Sequence, residues 1–200
     1  MMLKEVEDEI RRCRRCELWK YKTNYVPGEG NPNAKIVFIG EAPGREEDIQ
    51  GRPFVGKAGK YLTEVLKKLG VERKEVYITN VLKCRPPNNR DPKPEEIEAC
   101  KPYLLKQLEI IKPDVIVCLG RFSSDVILNE FGLGFRGISR DRGKVFEVEK
   151  WDKTVKIIPT YHPAAILRNK GLAEYFESDL KKAVEVLKRK PKTLLDFFHV

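Results

Sequence analysis

The chain has 200 residues, 41% hydrophobic and 34% charged. This suits one globular domain that buries about 70% of its unfolded surface without disulfide staples. No apolar run approaches the ~18 residues that a membrane span requires, and MMLKEVEDEIRR is charged from Lys4 with no apolar h-region, which speaks against a secretory signal. Lys and Arg number 39 against 30 Asp and Glu, a net charge of +9. That balance fits a polyanionic partner such as nucleic acid. It fits equally the solvated Lys- and Glu-rich surface of a thermophile protein, as does the presence of only two glutamines, Gln50 and Gln107.

In chain order, residues 4–16 read as a short helix with Leu3, Val6 and Ile10 on one side. Lys35–Gly40 (KIVFIG) is a continuous apolar run, the pattern of a strand buried on both faces. Ala58–Gly70 has helical spacing through Leu62, Val65, Leu66 and Leu69, with Gly70 as its stop. Glu75–Val81 is a second strand, Pro94–Ile111 a helix opened by Pro94, and Asp114–Gly120 a third strand followed by a helix over Ser123–Glu130. Lys144–Val148 and Val155–Pro159 are further strands, and Leu172–Lys190 is the last helix. Alternating strands and helices predict an α/β fold, a three-layer α/β/α sandwich with a central, mainly parallel sheet. In such sheets ligands bind beyond the carboxyl ends of the strands. Those ends read Gly40-Glu41-Ala42-Pro43-Gly44, Thr79-Asn80, Gly120-Arg121-Phe122 and Tyr161-His162-Pro163, so polar groups, glycine and proline converge where a site is expected.

Cysteines in a reducing cytoplasm point to metal or catalysis more often than to disulfides. Cys118, inside an apolar strand, reads as an inert packed thiol. The close pair Cys13 and Cys16, with isolated Cys84 and Cys100, lies among Arg14, Arg15, Lys83, Arg85 and Lys101, cations that favour thiolates. Structural zinc, an iron–sulfur cluster and unconnected thiols all remain open. One close pair joined to two separate cysteines leans towards a [4Fe–4S] cluster. Such a site would tie the N-terminal segment to the proline-rich stretch CRPPNNRDPKP, which cannot hold a regular element.

Four segments, GEAPGREED (40–48), GRPFVGKAG (51–59), TNVLKCRPP (79–87) and HPAAILR (162–168), resemble the signature segments of family 4 uracil-DNA glycosylases, the thermostable iron–sulfur members of their superfamily. The resemblance covers about residues 10–188, and the four cysteines stand in the order and spacing of that family's cluster ligands. It implies a prokaryotic, nucleoid-associated cytoplasmic monomer with one glycosylase domain over residues 1–190. That enzyme would flip deoxyuridine out of double- or single-stranded DNA and hydrolyse its N-glycosidic bond in base excision repair. Gly40 and Ala42 would line the base pocket, Phe54 would stack on the uracil, and Asn80 would read its N3–H and O4 edge, which cytosine presents with opposite polarity. His162 would donate to O2, where charge gathers as the base leaves. Aligned on Pro43, a water-positioning Asp and a thymine-excluding Tyr of the best-known branch are replaced by Ala42 and Gly44. Neither group is available in that form, so Glu41 or backbone would hold the water near the reacting sugar and Glu47 would exclude thymine; these two catalytic candidates rank above Glu46 and Asp48, which read as helix-start acids. HPAAILR would be a minor-groove loop with Ile166 or Leu167 as an apolar wedge, and Arg85, Arg168 and Lys170 would contact DNA.

Residues 191–200 (PKTLLDFFHV) form a tail. Leu194, Phe197 and Phe198 either dock on the core or resemble the helical peptide that plugs the PCNA sliding clamp, although Pro191 stands where that peptide begins with Gln. Charge and cysteines also fit a non-catalytic nucleic-acid-binding module. The constellation of Glu41, Phe54, Asn80 and His162, which binding alone does not require, separates the two readings. A relative that traps the abasic sugar covalently would need a His between Cys84 and Cys100, and that stretch has none.

Overall fold

The apolar runs of the sequence become the middle of a six-stranded sheet. The computed structural model describes residues 2–188. The helices are α1 (Leu3–Arg11), α2 (Arg45–Gln50), α3 (Lys57–Lys68), α4 (Pro94–Ile111), α5 (Arg121–Glu130), α6 (Ile138–Asp141), α7 (Pro163–Arg168) and α8 (Ala173–Lys188). The strands are β1 (Glu29–Gly30), β2 (Ile36–Gly40), β3 (Tyr77–Asn80), β4 (Val115–Leu119), β5 (Phe146–Lys150) and β6 (Lys153–Thr160), in the spatial order β1-β3-β2-β4-β6-β5. The four central strands run parallel, and β1 and β5 close the edges antiparallel. Every residue of β2, β3 and β4 is buried, as a parallel sheet covered on both faces requires.

Alternation along each strand divides the core in two. Val37 and Ile39 face α1, α4 and α5 through Ile10, Leu104, Leu108 and Ile127. Ile36 and Phe38 face α3 and α8 through Leu62, Leu66, Phe176 and Leu180. From β2 the chain passes to β3 on one side and then crosses to β4 on the other, so the connections diverge above β2. The register places Gly40 opposite Asn80 and Leu119 opposite Thr160. The strand exits therefore stand level around one crevice.

Several elements differ from the sequence expectation, among them α6, which was not expected, and β5, which starts two residues later. Helix α1 ends at Arg11, because Arg12 leaves helical geometry (φ −112°, ψ 5°) and frees the Cys13–Cys16 segment to turn. Strand β1 has two residues, too few for periodicity to reveal. HPAAILR forms helix α7, with Pro163 at its first position and His162 capping the Ala164 N–H, where a loop was expected. The 190/191 boundary and the tail with Leu194, Phe197 and Phe198 lie outside the described residues.

Asp179 of α8 anchors the end of β6. It is fully buried and accepts from Thr160 Oγ1 at 2.8 Å and from Arg142 Nε and Nη2 at 2.9 and 2.6 Å. Removing one partner of a buried ion pair strands the other. Asp179→Ala is expected to cost about 3 kcal/mol, read as a lower guanidinium midpoint at unchanged slope. A loss below about 1 kcal/mol would show that water satisfies Arg142 instead.

Candidate active site

The strand exits enclose a cavity of about 510 Å³, lined among others by Glu41, Ala42, Glu47, Phe54, Asn80, Asp91, Arg121, Tyr161, His162 and Arg168. Its floor depends on Gly40. A Cβ at Gly40 would lie 2.4 Å from Asn80 Oδ1 and 2.5 Å from the Phe54 ring, so only glycine lets these two side chains meet over the end of β2. Phe54 is 6% exposed and has a left-handed backbone, φ +50°, a conformation that costs a non-glycine residue roughly 1–2 kcal/mol. Asn80 is 1% exposed, and its Oδ1 is buried with no hydrogen-bond partner among the described residues. Native side chains rarely leave such an acceptor unpaired. The Asn80 side-chain oxygen therefore stands without a protein partner at the end of β3.

His162 lies 5.6 Å from Phe54, ring centre to ring centre, at an interplanar angle of 34°. Its Nδ1 accepts the Ala164 N–H at 3.1 Å. Burial, helped by the Arg168 charge, pushes its pKa down to about 4. An imidazole that is neutral and accepting at Nδ1 carries its proton on Nε2. His162 is thus a neutral donor at physiological pH. Gly120 (φ +97°) lets it close in, since a Cβ there would stand 3.1 Å from His162 Cβ.

Glu41 leaves β2 into the crevice. Burial, reinforced by Asp91 and opposed by Arg121, pushes its pKa up to about 7. A carboxyl raised in the folded state makes the fold lose stability as pH rises from the ordinary 4.5 towards that value. Asp91 and Arg121 form an ion pair at the cavity mouth. The loop carrying Asp91 is ordered by a turn over Pro87–Asn89 and by Arg90, whose Nη1 and Nη2 donate to Glu96 at 2.9 and 2.5 Å. Glu47 uses Oε1 to accept the N–H groups of Val55 and Gly56 at 2.9 and 2.8 Å. Its Oε2 lies 2.8 Å from where a Cβ on Gly44 would be, so it fills space a side chain at Gly44 would take. Glu46 is exposed on α2, and Asp48 is buried, holding the Thr23 and Asn24 N–H groups at 2.8 and 3.2 Å.

The expected DNA contacts separate. Ile166 is 2% exposed and packs in the α3–α8 core, so it is not an available wedge; α7 turns it inward, and Leu167 is the apolar side chain left outside, 43% exposed. Arg168 lines the cavity rim, and Lys170 is exposed in the following turn. Arg85 is partly buried, its Nε donating to Asn89 Oδ1 at 2.7 Å. Asp91 escaped the sequence reading because nothing in NNRDPKP shows that its loop folds back over the strand exits.

On the α1–α4 side, Cys13, Cys16, Cys84 and Cys100 ring a second, small cavity with Leu18, Tyr25 and Tyr103. The Lys83 N–H donates to Cys100 Sγ at 3.3 Å and the Arg15 N–H to Cys13 Sγ at 3.5 Å. Burial pushes the Cys100 thiol up to about 11 and raises Cys16 and Cys84 as well. These side chains do not converge on one point: among the described residues no three His, Cys, Asp or Glu form a single-ion site. Cys118 is wholly buried in β4, away from this ring.

A family model of the uracil DNA glycosylase superfamily matches residues 27–188. A protein of Archaeoglobus fulgidus named type-4 uracil-DNA glycosylase is 60% identical, over 98% of both chains. Proteins of the same name from Sulfurisphaera tokodaii and Thermotoga maritima are 49% and 45% identical; the first match covers 98% of this chain and 90% of the relative, the second 94% and 96%. Matched across the strand exits and cysteine segments alike, the chain belongs to the uracil DNA glycosylase superfamily, in its type-4 group.

Proposed function

We propose that the chain is a monofunctional uracil-DNA glycosylase that hydrolyses the N-glycosidic bond of a flipped deoxyuridine. The observation that carries this is the unpaired Asn80 Oδ1 at a cavity also lined by the Phe54 ring and by His162, whose Nδ1 accepts the Ala164 N–H. The names of the similar proteins support uracil in DNA as the substrate. Uracil on Phe54 places N3–H and O4 against the Asn80 amide, which accepts from the first and donates to the second. Cytosine reverses both polarities and leaves buried groups unpaired. Glu47 Oε2, filling the space beside Gly44, meets the 5-methyl group of thymine.

As the bond from C1′ to N1 breaks, its electron pair moves into the base and charge gathers on O2. His162 Nε2–H stabilises that oxygen at no cost of protonation, because it is already a neutral donor. The sugar becomes cationic, and the Glu41 carboxylate stabilises it and orients the water; as the water oxygen bonds to C1′ its proton passes to Glu41, and the uracil anion is neutralised by a proton from solvent. Leu167 enters the stack as the base leaves, while Arg168, Lys170 and Arg85 meet phosphates.

The four cysteines fit a [4Fe–4S] cluster. They line one small cavity, and two of their sulfurs receive backbone N–H groups, as thiolates on a cluster do. Cys13, Cys16, Cys84 and Cys100 would hold such a cluster, which would tie the N-terminal segment to the loop after β3; no step of the excision passes through it. Among the described residues no helix is long and apolar enough to cross a membrane.

The direct test incubates the protein with an oligonucleotide carrying one uracil, then cleaves abasic sites with alkali. Cleavage is expected at uracil and not at thymine or cytosine, and Asn80→Ala is expected to slow it at least ~100-fold. Protein that binds this DNA without excising uracil would instead be a binding module. The pH profile tests Glu41, which is neutral below about 7 and anionic above. The single-turnover rate should rise through that pH and flatten in Glu41→Gln, with no histidine step above about 4; an unchanged profile in Glu41→Gln removes Glu41 from the reaction. Leu167→Ala should slow excision about tenfold in duplex and less than about twofold in single strands. Equal slowing in both rules out the wedge.

A further inference from the structure

The backbone at Phe54 is held from both sides, and one holder has no part in the reading above. Glu47 secures the N–H of Val55, the far half of the peptide that follows Phe54. Arg73 secures the rest. It lies in the turn Arg73–Glu75 ahead of β3, outside the cavity lining. Its Nη1 donates to the Phe54 carbonyl at 3.1 Å and more weakly to Thr63 Oγ1 at 3.4 Å, and its Nη2 donates to the Pro53 carbonyl. Its Nε faces Glu29 Oε1 at 3.5 Å, and Glu29 is also gripped by Arg52 at 2.6 and 2.9 Å. The Arg73 side chain is 19% exposed.

Both peptide planes flanking the Phe54 Cα are therefore clamped, one through the Pro53 carbonyl and the other through the Phe54 carbonyl and the Val55 N–H. With both planes fixed, φ and ψ of Phe54 are fixed, and with them the direction in which its ring leaves the chain. The space beneath is reserved too, since a Cβ at Gly59 would lie 1.9 Å from the Phe54 carbonyl oxygen. A guanidinium reaches two successive carbonyls and a carboxylate at once through its planar fork; an ammonium does not.

We propose that Arg73 is a positioning residue for base recognition: its clasp on the Pro53 and Phe54 carbonyls holds the Phe54 ring in the plane on which the flipped base stacks. This rests on the reading of Phe54 as the stacking surface. Nothing in the role requires Arg73 to touch DNA or uracil.

A double-mutant cycle tests it on the full chain, with single-turnover uracil excision at a temperature where circular dichroism shows every variant folded. Arg73→Met is expected to slow excision about tenfold when Phe54 is present and less than about twofold in a Phe54→Ala background, because the clasp then has no ring to aim. Arg73→Lys keeps one donor and should fall between, again only with Phe54 present; it carries the cycle if Arg73→Met does not fold. The same fold-loss in both backgrounds would make Arg73 a general structural residue and overturn this inference alone. A wild-type rate in Phe54→Ala would overturn the stacking reading and this inference with it.

Discussion

One close approach governs the site: the Phe54 ring and the Asn80 amide meet over the bare Cα of Gly40. A methyl group there would overlap both, at 2.5 and 2.4 Å. The parallel pairing of Gly40 with Asn80 brings the amide to that point, and a left-handed residue brings the ring. Neither arrangement is favourable by itself. An unpaired buried amide oxygen costs on the order of 1–3 kcal/mol, and the strained phenylalanine adds to it. The fold tolerates both because the buried strands β2, β3 and β4 lie beneath and because Glu47 and Arg73 hold the peptides on either side of Phe54. On the proposed reading, a base stacked on the ring would supply the hydrogen bond that the amide oxygen lacks.

Burial then sets the charge state of the remaining groups. The same low-dielectric crevice pushes Glu41 up and His162 down, because each charged form loses hydration there. The outcome suits a reaction in which negative charge develops on one side and positive charge on the other. A histidine already neutral donates without first losing a proton, and a carboxylate beside Asp91 is a strong electrostatic partner for a nearby cation. The Arg121–Asp91 pair at the mouth keeps Asp91 from forcing Glu41 still higher.

The centre of the sheet was legible because β2 and β4 are buried on both faces and therefore read as unbroken apolar runs. The strand exits followed from them, and Gly40, Phe54, Asn80 and His162 stand together in the structure. What the sequence concealed depends on contacts between distant segments. Ile166 and Leu167 are neighbours of equal hydrophobicity, and only the phase of α7 against α3 sends one to the core and the other to solvent. Arg73 sits in RKE, a charged run, and nothing local marks the carbonyls it will meet. Asp91 is carried to the cavity by a proline-rich loop whose course is set by Arg90 and Glu96.

That loop also explains why a cysteine ring on one face of the sheet bears on a cavity at its end. Past the strands, Val81 and Leu82 continue the pairing, their N–H groups donating to the Gly40 and Glu41 carbonyls at 3.0 Å each. The next residue, Lys83, is 1% exposed. Its backbone N–H reaches Cys100 Sγ, while its Nζ donates to Thr79 Oγ1 at 2.6 Å, Asn80 O at 2.7 Å and Gln107 Oε1 at 2.8 Å. Burying an ammonium demands such full satisfaction, and three acceptors leave it no alternative position. Cys84 follows directly. The segment that carries one cysteine of the ring is thus the segment that holds the backbones of Glu41 and Asn80. Whatever fixes the cysteines therefore fixes the segment that holds Glu41 and Asn80, two residues of the cavity wall.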